Sequence, residues 1–169
     1  PLTHPIPDRR YQAIGHLGKI GSKKVLPHLV NLFDHSETEM IFYSLKALEG
    51  KATLDMLPKL KALAKHTNPS VRQATAMAMS NLKEAEIDLI PLCADEDGLT
   101  KLSAAVALNR IGSNSCQVVF DELLSHEDFK VRSSMARVLG ETPIPERLRI
   151  LTAALQDSHS RVRTAAVRG

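Results

Sequence analysis

One pattern recurs along the whole chain and limits its fold more than any other feature. Three fragments show it openly: Asn68-Pro69-Ser70-Val71-Arg72, Asp128-Phe129-Lys130-Val131-Arg132 and Ser158-His159-Ser160-Arg161-Val162-Arg163. The Val of each Val-Arg pair serves as an anchor. Leu139-Gly140 follows Val131 by eight and nine residues, and the same signal recurs at Leu17-Gly18, Leu48-Glu49 and Leu108-Asn109. The anchors are therefore Arg9, Met40, Val71, Thr100, Val131 and Val162, spaced by 31, 31, 29, 31 and 31 residues. A multi-position pattern with that regularity marks an array of one supersecondary unit.

Each unit reads as two helices. The segment after an anchor, such as 71–82 or 131–139, places Ala, Leu, Val and Met at helical spacing. This is helix B. A Gly, Ser, Asn or Thr-Pro turn follows, and then a second apolar segment, helix A, as at 25–33, 54–64, 87–93, 116–124 and 148–155. Asn68 before Pro69, and Asp97 and Asp128 at equivalent places, suit helix caps. A helix pair this short cannot bury its apolar face alone, so the units must stack. The expectation is an all-α fold: one domain over residues 1–169, a right-handed α-solenoid of about five helix pairs.

The Val-Arg and Leu-Gly pairs, with Pro27, Pro58 and Pro91 in helix A, resemble HEAT-like repeats in the short form also found in the phycobilin lyase family. The resemblance covers essentially the whole chain and implies architecture far more than role. It also implies a structural ladder, in which an acid in the turn and a basic residue six positions on tie neighbouring repeats together. Asp95 with Lys101 and Asp157 with Arg163 match that pattern, and Arg72 and Arg132 hold the same basic position. At the acid position His4, His35, His66 and His126 stand instead. Equivalent residues of stacked helices lie roughly 8–10 Å apart, too far to converge on one metal ion. These histidines read as turn residues bonding backbone groups. Their protonation near pH 6 is expected to weaken the stack beside Arg72 and Arg132.

No residue set names a reaction. Deoxyhypusine hydroxylases resemble this fold but carry repeated His-Glu pairs, and here only His126-Glu127 qualifies. HEAT-like DNA glycosylases use Trp, which this chain lacks. No bilin site, nucleophile elbow, phosphate loop or His-Glu-x-x-His helix is recognisable. Cys93 and Cys116, the two cysteines, sit among apolar neighbours and read as inert core thiols in a reducing compartment, hence a cytoplasmic protein. No stretch approaches the roughly 20 apolar residues of a membrane span. The expectation is a non-catalytic protein without cofactor or metal.

The exposed stripe of helix B is the better functional surface. Offset +2 carries Tyr11, Phe42, Gln73, Leu102, Ser133 and Thr164, and offset +6 carries Gly15, Lys46, Met77, Val106, Arg137 and Arg168. Phe42, Met77, Leu102 and Val106 are apolar where water is expected, the mark of a protein-binding groove. The partner-binding set is therefore Tyr11, Phe42, Lys46, Gln73, Met77, Leu102, Val106, Ser133, Arg137 and Arg168. Residues 130–169 hold eight Lys/Arg against three acids, whereas residues 1–129 hold fourteen against sixteen. Nucleic acid or an anionic surface is thus the alternative partner, and a lyase- or hydroxylase-like enzyme the second alternative. Neither end carries a polar capping repeat, so a fragment of a longer array, prone to end-to-end self-association, is expected.

Overall fold

The computed structural model describes residues 2–22 and 24–169. Among them are eleven α-helices and no strand. The odd-numbered helices are the B helices: α1 (Pro7–Ile20), α3 (Thr38–Ala47), α5 (Pro69–Ala78), α7 (Gly98–Arg110), α9 (Phe129–Leu139) and α11 (Ser160–Arg168). The even-numbered helices are the A helices: α2 (Leu26–Val30), α4 (Leu57–Leu63), α6 (Glu86–Leu89), α8 (Val118–Leu124) and α10 (Arg147–Ala154). Each B helix packs on the B helix before it, giving an inner layer backed by an outer layer of A helices. This is the helical solenoid that the repeat demands.

The A helices are short, and proline shapes them. Pro27 and Pro58 stand in the first turn of α2 and α4, where a missing N–H costs nothing. Pro91 follows α6, and with no N–H to continue the ladder, residues 90–94 tighten into a 3₁₀ turn. The B helices start as expected. Asn68, Asp97 and Asp128 accept from the N–H of Ser70, Thr100 and Lys130 at 2.8, 2.7 and 2.8 Å. His159 caps α11 the same way through Nδ1.

One core runs the length of the array. Leu29, Leu45, Leu60, Val71, Met79, Leu89, Leu108, Met135, Leu139 and Val162 are fully buried in it. Anchors 40, 71, 100, 131 and 162 are buried, whereas Arg9, at the first anchor position, is exposed. Thr100 replaces the apolar anchor and satisfies its hydroxyl on Asp97 at 2.8 Å and on the Pro69 carbonyl at 3.3 Å.

Spacing between inner helices is set near their C-termini. A Cβ built on Gly18 would lie 2.6 Å from the Ala47 Cβ, and one on Gly140 2.6 Å from the Gly169 Cα. Position +9 of one repeat thus meets position +7 of the next. In the same register the facing residues are Ala47, Ala78, Ala107, Val138 and Gly169. Val138 is the one β-branched side chain among them, and α9 is the inner helix that packs least on its predecessor, α7. Gly18→Ala should therefore destabilise by about 1–3 kcal/mol through overpacking. Gly15→Ala, where nothing lies within 4 Å, should stabilise by about 0.5–1 kcal/mol through helix propensity. Thermal melts of the two variants check the opposite signs.

The cysteines depart from expectation. Cys93 and Cys116 form a disulfide, with Cα atoms 6.1 Å apart. The bond joins the end of the segment containing α6 to the residues just before α8, clasping the stretch that contains α7. It replaces the expected pair of inert thiols and removes the argument for a reducing compartment. In the outer layer it takes the place of an ion pair. Lys59–Asp34, Lys61–Asp88 and Arg149–Asp121 link the successive outer segments on either side of it.

Candidate functional site

The inner layer curves around a groove of about 350 Å³ lined from α3, α5, α7 and α9. It opens where α9 parts from α7 beside Val138. Seven of the ten predicted binding residues meet there: Phe42, Lys46, Gln73, Met77, Leu102, Val106 and Arg137. Curvature brings α3 within reach of α7, two repeats on, and Arg110 pairs with Glu49 at 2.8 Å across that distance.

Two apolar residues are not exposed as expected. Leu102 is 3% exposed and Val106 1%. Flanked by α5 and α9 and backed by the outer segments, α7 is buried on nearly every side, Gly98 and Thr100 included. Leu102 and Val106 form the groove floor, while half-buried Phe42 and Met77 present the apolar surface a ligand would touch. Lys46 Nζ stands 5.5 Å from the centroid of the Phe42 ring.

The other three predicted residues lie outside. Tyr11 stacks on Tyr43 at 4.5 Å between ring centroids. Its phenol is held above the ordinary value, first by desolvation and then by Glu39 and Glu37. Ser133 and Arg168 line a shallower, polar depression between α9 and α11, with Arg161 and Thr164. Arg137 and Glu141 border both depressions, so one surface continues from the groove to α11.

The basic residues of 130–169 do not form one stripe. Arg132 is bound to Asp157 and Arg149 to Asp121, while Arg147 donates to the Gly169 carbonyl. Arg137, Arg161 and Arg168 gather at the depression beside the groove.

The ladder exists, with different partners from those the spacing suggested. Asp95 bonds Arg72 of the preceding repeat, at 2.7 and 2.8 Å. Asp157 bonds Arg132 at 2.7 and 3.1 Å. Each arginine also donates from Nη1 to two carbonyls of its own turn, His66 and Thr67 for Arg72, His126 and Glu127 for Arg132. Arg163 makes the same turn bonds, to Asp157 and Ser158, through backbone carbonyls and not the Asp157 carboxylate. Lys101 turns to Glu122 at 3.4 Å instead of Asp95.

This geometry accounts for the histidines. Asp95 and Asp157 each accept the N–H two residues on, from Asp97 and His159. His4, His35, His66 and His126 do the same through Nδ1, at 3.0–3.1 Å. Histidine keeps the turn and gives up the charge. Asp appears where the preceding repeat offers Arg72 or Arg132, and His where it offers Ile41 or Lys101. Arg10, facing His35, pairs with Glu37 at 2.6 Å. Among the described residues no three His, Cys, Asp or Glu side chains gather where a metal ion could be held.

Comparison with known proteins agrees with this architecture. Residues 116–169 match HEAT repeats and residues 9–35 match the PBS lyase HEAT-like repeat. Uncharacterized phycocyanin operon protein Z of Pseudanabaena tenuis is 32% identical over 113 residues, 61% of this chain and 56% of that protein. The chain thus spans about half the length of this relative. The structure of human deoxyhypusine hydroxylase in complex with glycerol superposes with a TM-score of 0.58 at 14% identity, over 98% of this chain and 79% of that one. An engineered protein superposes with a TM-score of 0.52 at 20% identity, over 99% of this chain and 93% of its own. At these identities the two structures speak for the fold alone. Residues 9–35 and 116–169 thus carry HEAT-like repeats, and the same repeat phase and two helical layers run through the residues between them.

Proposed function

We propose that this chain is a non-catalytic scaffold that binds a protein partner along the inner face of its solenoid. The observation that carries the reading is the groove, where seven residues chosen from four different repeats converge. It has an apolar floor, two half-buried apolar side chains above it and a charged rim, the arrangement of a peptide-binding surface. HEAT-like repeats support the scaffold role, because stacked repeats offer extended inner surfaces. No helix is long and apolar enough to cross a membrane among the described residues.

The test is affinity capture from native lysate with nuclease present, wild type beside a Phe42→Asp/Met77→Asp variant. Met77 is the target and not Leu102, because an aspartate at Leu102 would lie in the core and unfold α7. A protein captured by wild type and lost from the folded variant is the expected result. Equal recovery from both would sink the groove as the binding face.

A further inference from the structure

The groove and the depression beside it differ in character. Over α3, α5 and α7 the surface is apolar around Phe42 and Met77. Over α9 and α11 it is polar and cationic, with Arg137, Arg161 and Arg168 exposed and without an acidic partner among the described residues. Lys46 is likewise exposed and unpaired. The Arg110–Glu49 pair cancels its own charge. Four cations then face one uncompensated acid, Glu141, along a single continuous surface. Elsewhere on this half of the chain Arg132 and Arg149 are tied to Asp157 and Asp121, while Arg147 and Arg163 spend N–H groups on backbone carbonyls.

Resting on the groove reading above, we infer that the partner is an extended peptide segment with an apolar anchor at one end and a run of carboxylates at the other. The anchor seats against Phe42 and Met77, and the carboxylates meet Arg137 and Arg168. Guanidinium groups favour this, because each can grip a carboxylate with two parallel N–H donors. From α3 to α11 there are four inner-helix spacings of roughly 8–10 Å, or about 32–40 Å. An extended segment covering that distance needs about ten to twelve residues. None of the described residues lining the cationic depression is aromatic, and the Phe129 ring beside Arg161 is already stacked on His159, so a single-stranded nucleic acid finds phosphate contacts there but few base contacts.

The experiment uses two fluorescein-labelled twelve-residue peptides, each with two leucines in its first half. One carries four aspartates in its second half, the other four lysines. Fluorescence anisotropy on the full chain should show the acidic peptide binding about tenfold or more tightly than the basic one, with the difference shrinking as salt rises. Arg137→Glu/Arg168→Glu should invert the preference, and circular dichroism should find this surface variant folded. Met77→Asp, and independently Gln73→Trp, which fills the groove without adding charge, should weaken both peptides. Equal binding of the two peptides, still blocked at Met77 and Gln73, overturns the carboxylate preference and leaves the groove reading standing. Binding indifferent to Met77 and Gln73 overturns both. A single-stranded oligonucleotide that displaces the acidic peptide at lower concentration overturns the peptide assignment, and so does failure of both peptides to bind at about millimolar concentration.

Discussion

Reduction of the Cys93–Cys116 bond lowers the melting temperature by about 6–12 °C. The bond closes a loop with a sequence separation of 23 residues, and releasing such a loop returns about 3 kcal/mol of conformational freedom to the unfolded chain. For a chain of this size each kcal/mol shifts the midpoint by about 2–4 °C. Cys116 is 5% exposed and Cys93 half-buried, so the bond lies against the core and not in open solvent. The closed loop contains α7, which supplies the floor of the groove, so the reduced protein should also bind groove ligands more weakly. The measurement is a thermal melt with and without a phosphine reductant, beside a Cys93→Ser/Cys116→Ser variant. The variant should melt like reduced wild type and ignore the reductant. Two titratable thiols in the untreated protein, or identical melts in all conditions, would refute the staple.

The repeat was legible because a single periodic pattern sets both helices and core. Burial of Val71, Val131 and Val162 at 0%, 6% and 0% exposure repeats the anchor phase read from the sequence, and the caps at Asn68, Asp97 and Asp128 follow from local chemistry. Curvature was not legible, because a repeat pattern treats every unit alike. Leu102 and Val106 occupy the same offsets as Phe42 and Met77, yet α7 lies between α5 and α9 at the bottom of the bend and loses its exposed stripe. The ladder partners were hidden because an acid six residues from a base looks like a pair, when the base spends that distance on the turn carbonyls. A signal did exist: the two aspartates stand in the repeats that follow Arg72 and Arg132. The disulfide left none, because it depends on two outer segments that meet only once the repeats have stacked. The outer layer also holds apolar residues in the open, Ile87, Val118 and Leu148 at 75%, 63% and 78% exposure, where apolar helix A segments suggested burial.

Asp95→Asn should cost about 3–5 kcal/mol, the largest loss from any single polar substitution in the inner layer. Arg72 and Asp95 are 10% and 8% exposed at their side chains, and removing one partner strands the other's charge in the stack. Burial opposes ionisation of Asp95, but the Arg72 hydrogen bonds, the Asp97 N–H and the charges of Arg72 and Lys101 outweigh it. Its carboxyl is therefore held below the ordinary carboxylate value. A depressed folded value means the stabilisation is full above the unfolded value of about 3.9 and is lost as pH falls through the folded one. The gap between wild type and Asp95→Asn in urea-melt stability should be flat from about pH 8 to pH 5 and close below about pH 4. Lys101→Gln, which removes the looser contact with Glu122 at 3.4 Å and the smallest of the influences on Asp95, should cost less than about 1 kcal/mol. The chain itself supplies the decisive control. At the α3–α5 junction Ile41 and His66 occupy the places of Arg72 and Asp95, with no charge to bury. An Arg72→Ile/Asp95→His double variant copies that junction and keeps an Nδ1 acceptor for the Asp97 N–H. It should be more stable at pH 8 than either single variant. Additive losses would mean that the pair contributes no mutual stabilisation and that the alternation of aspartate and histidine has another cause.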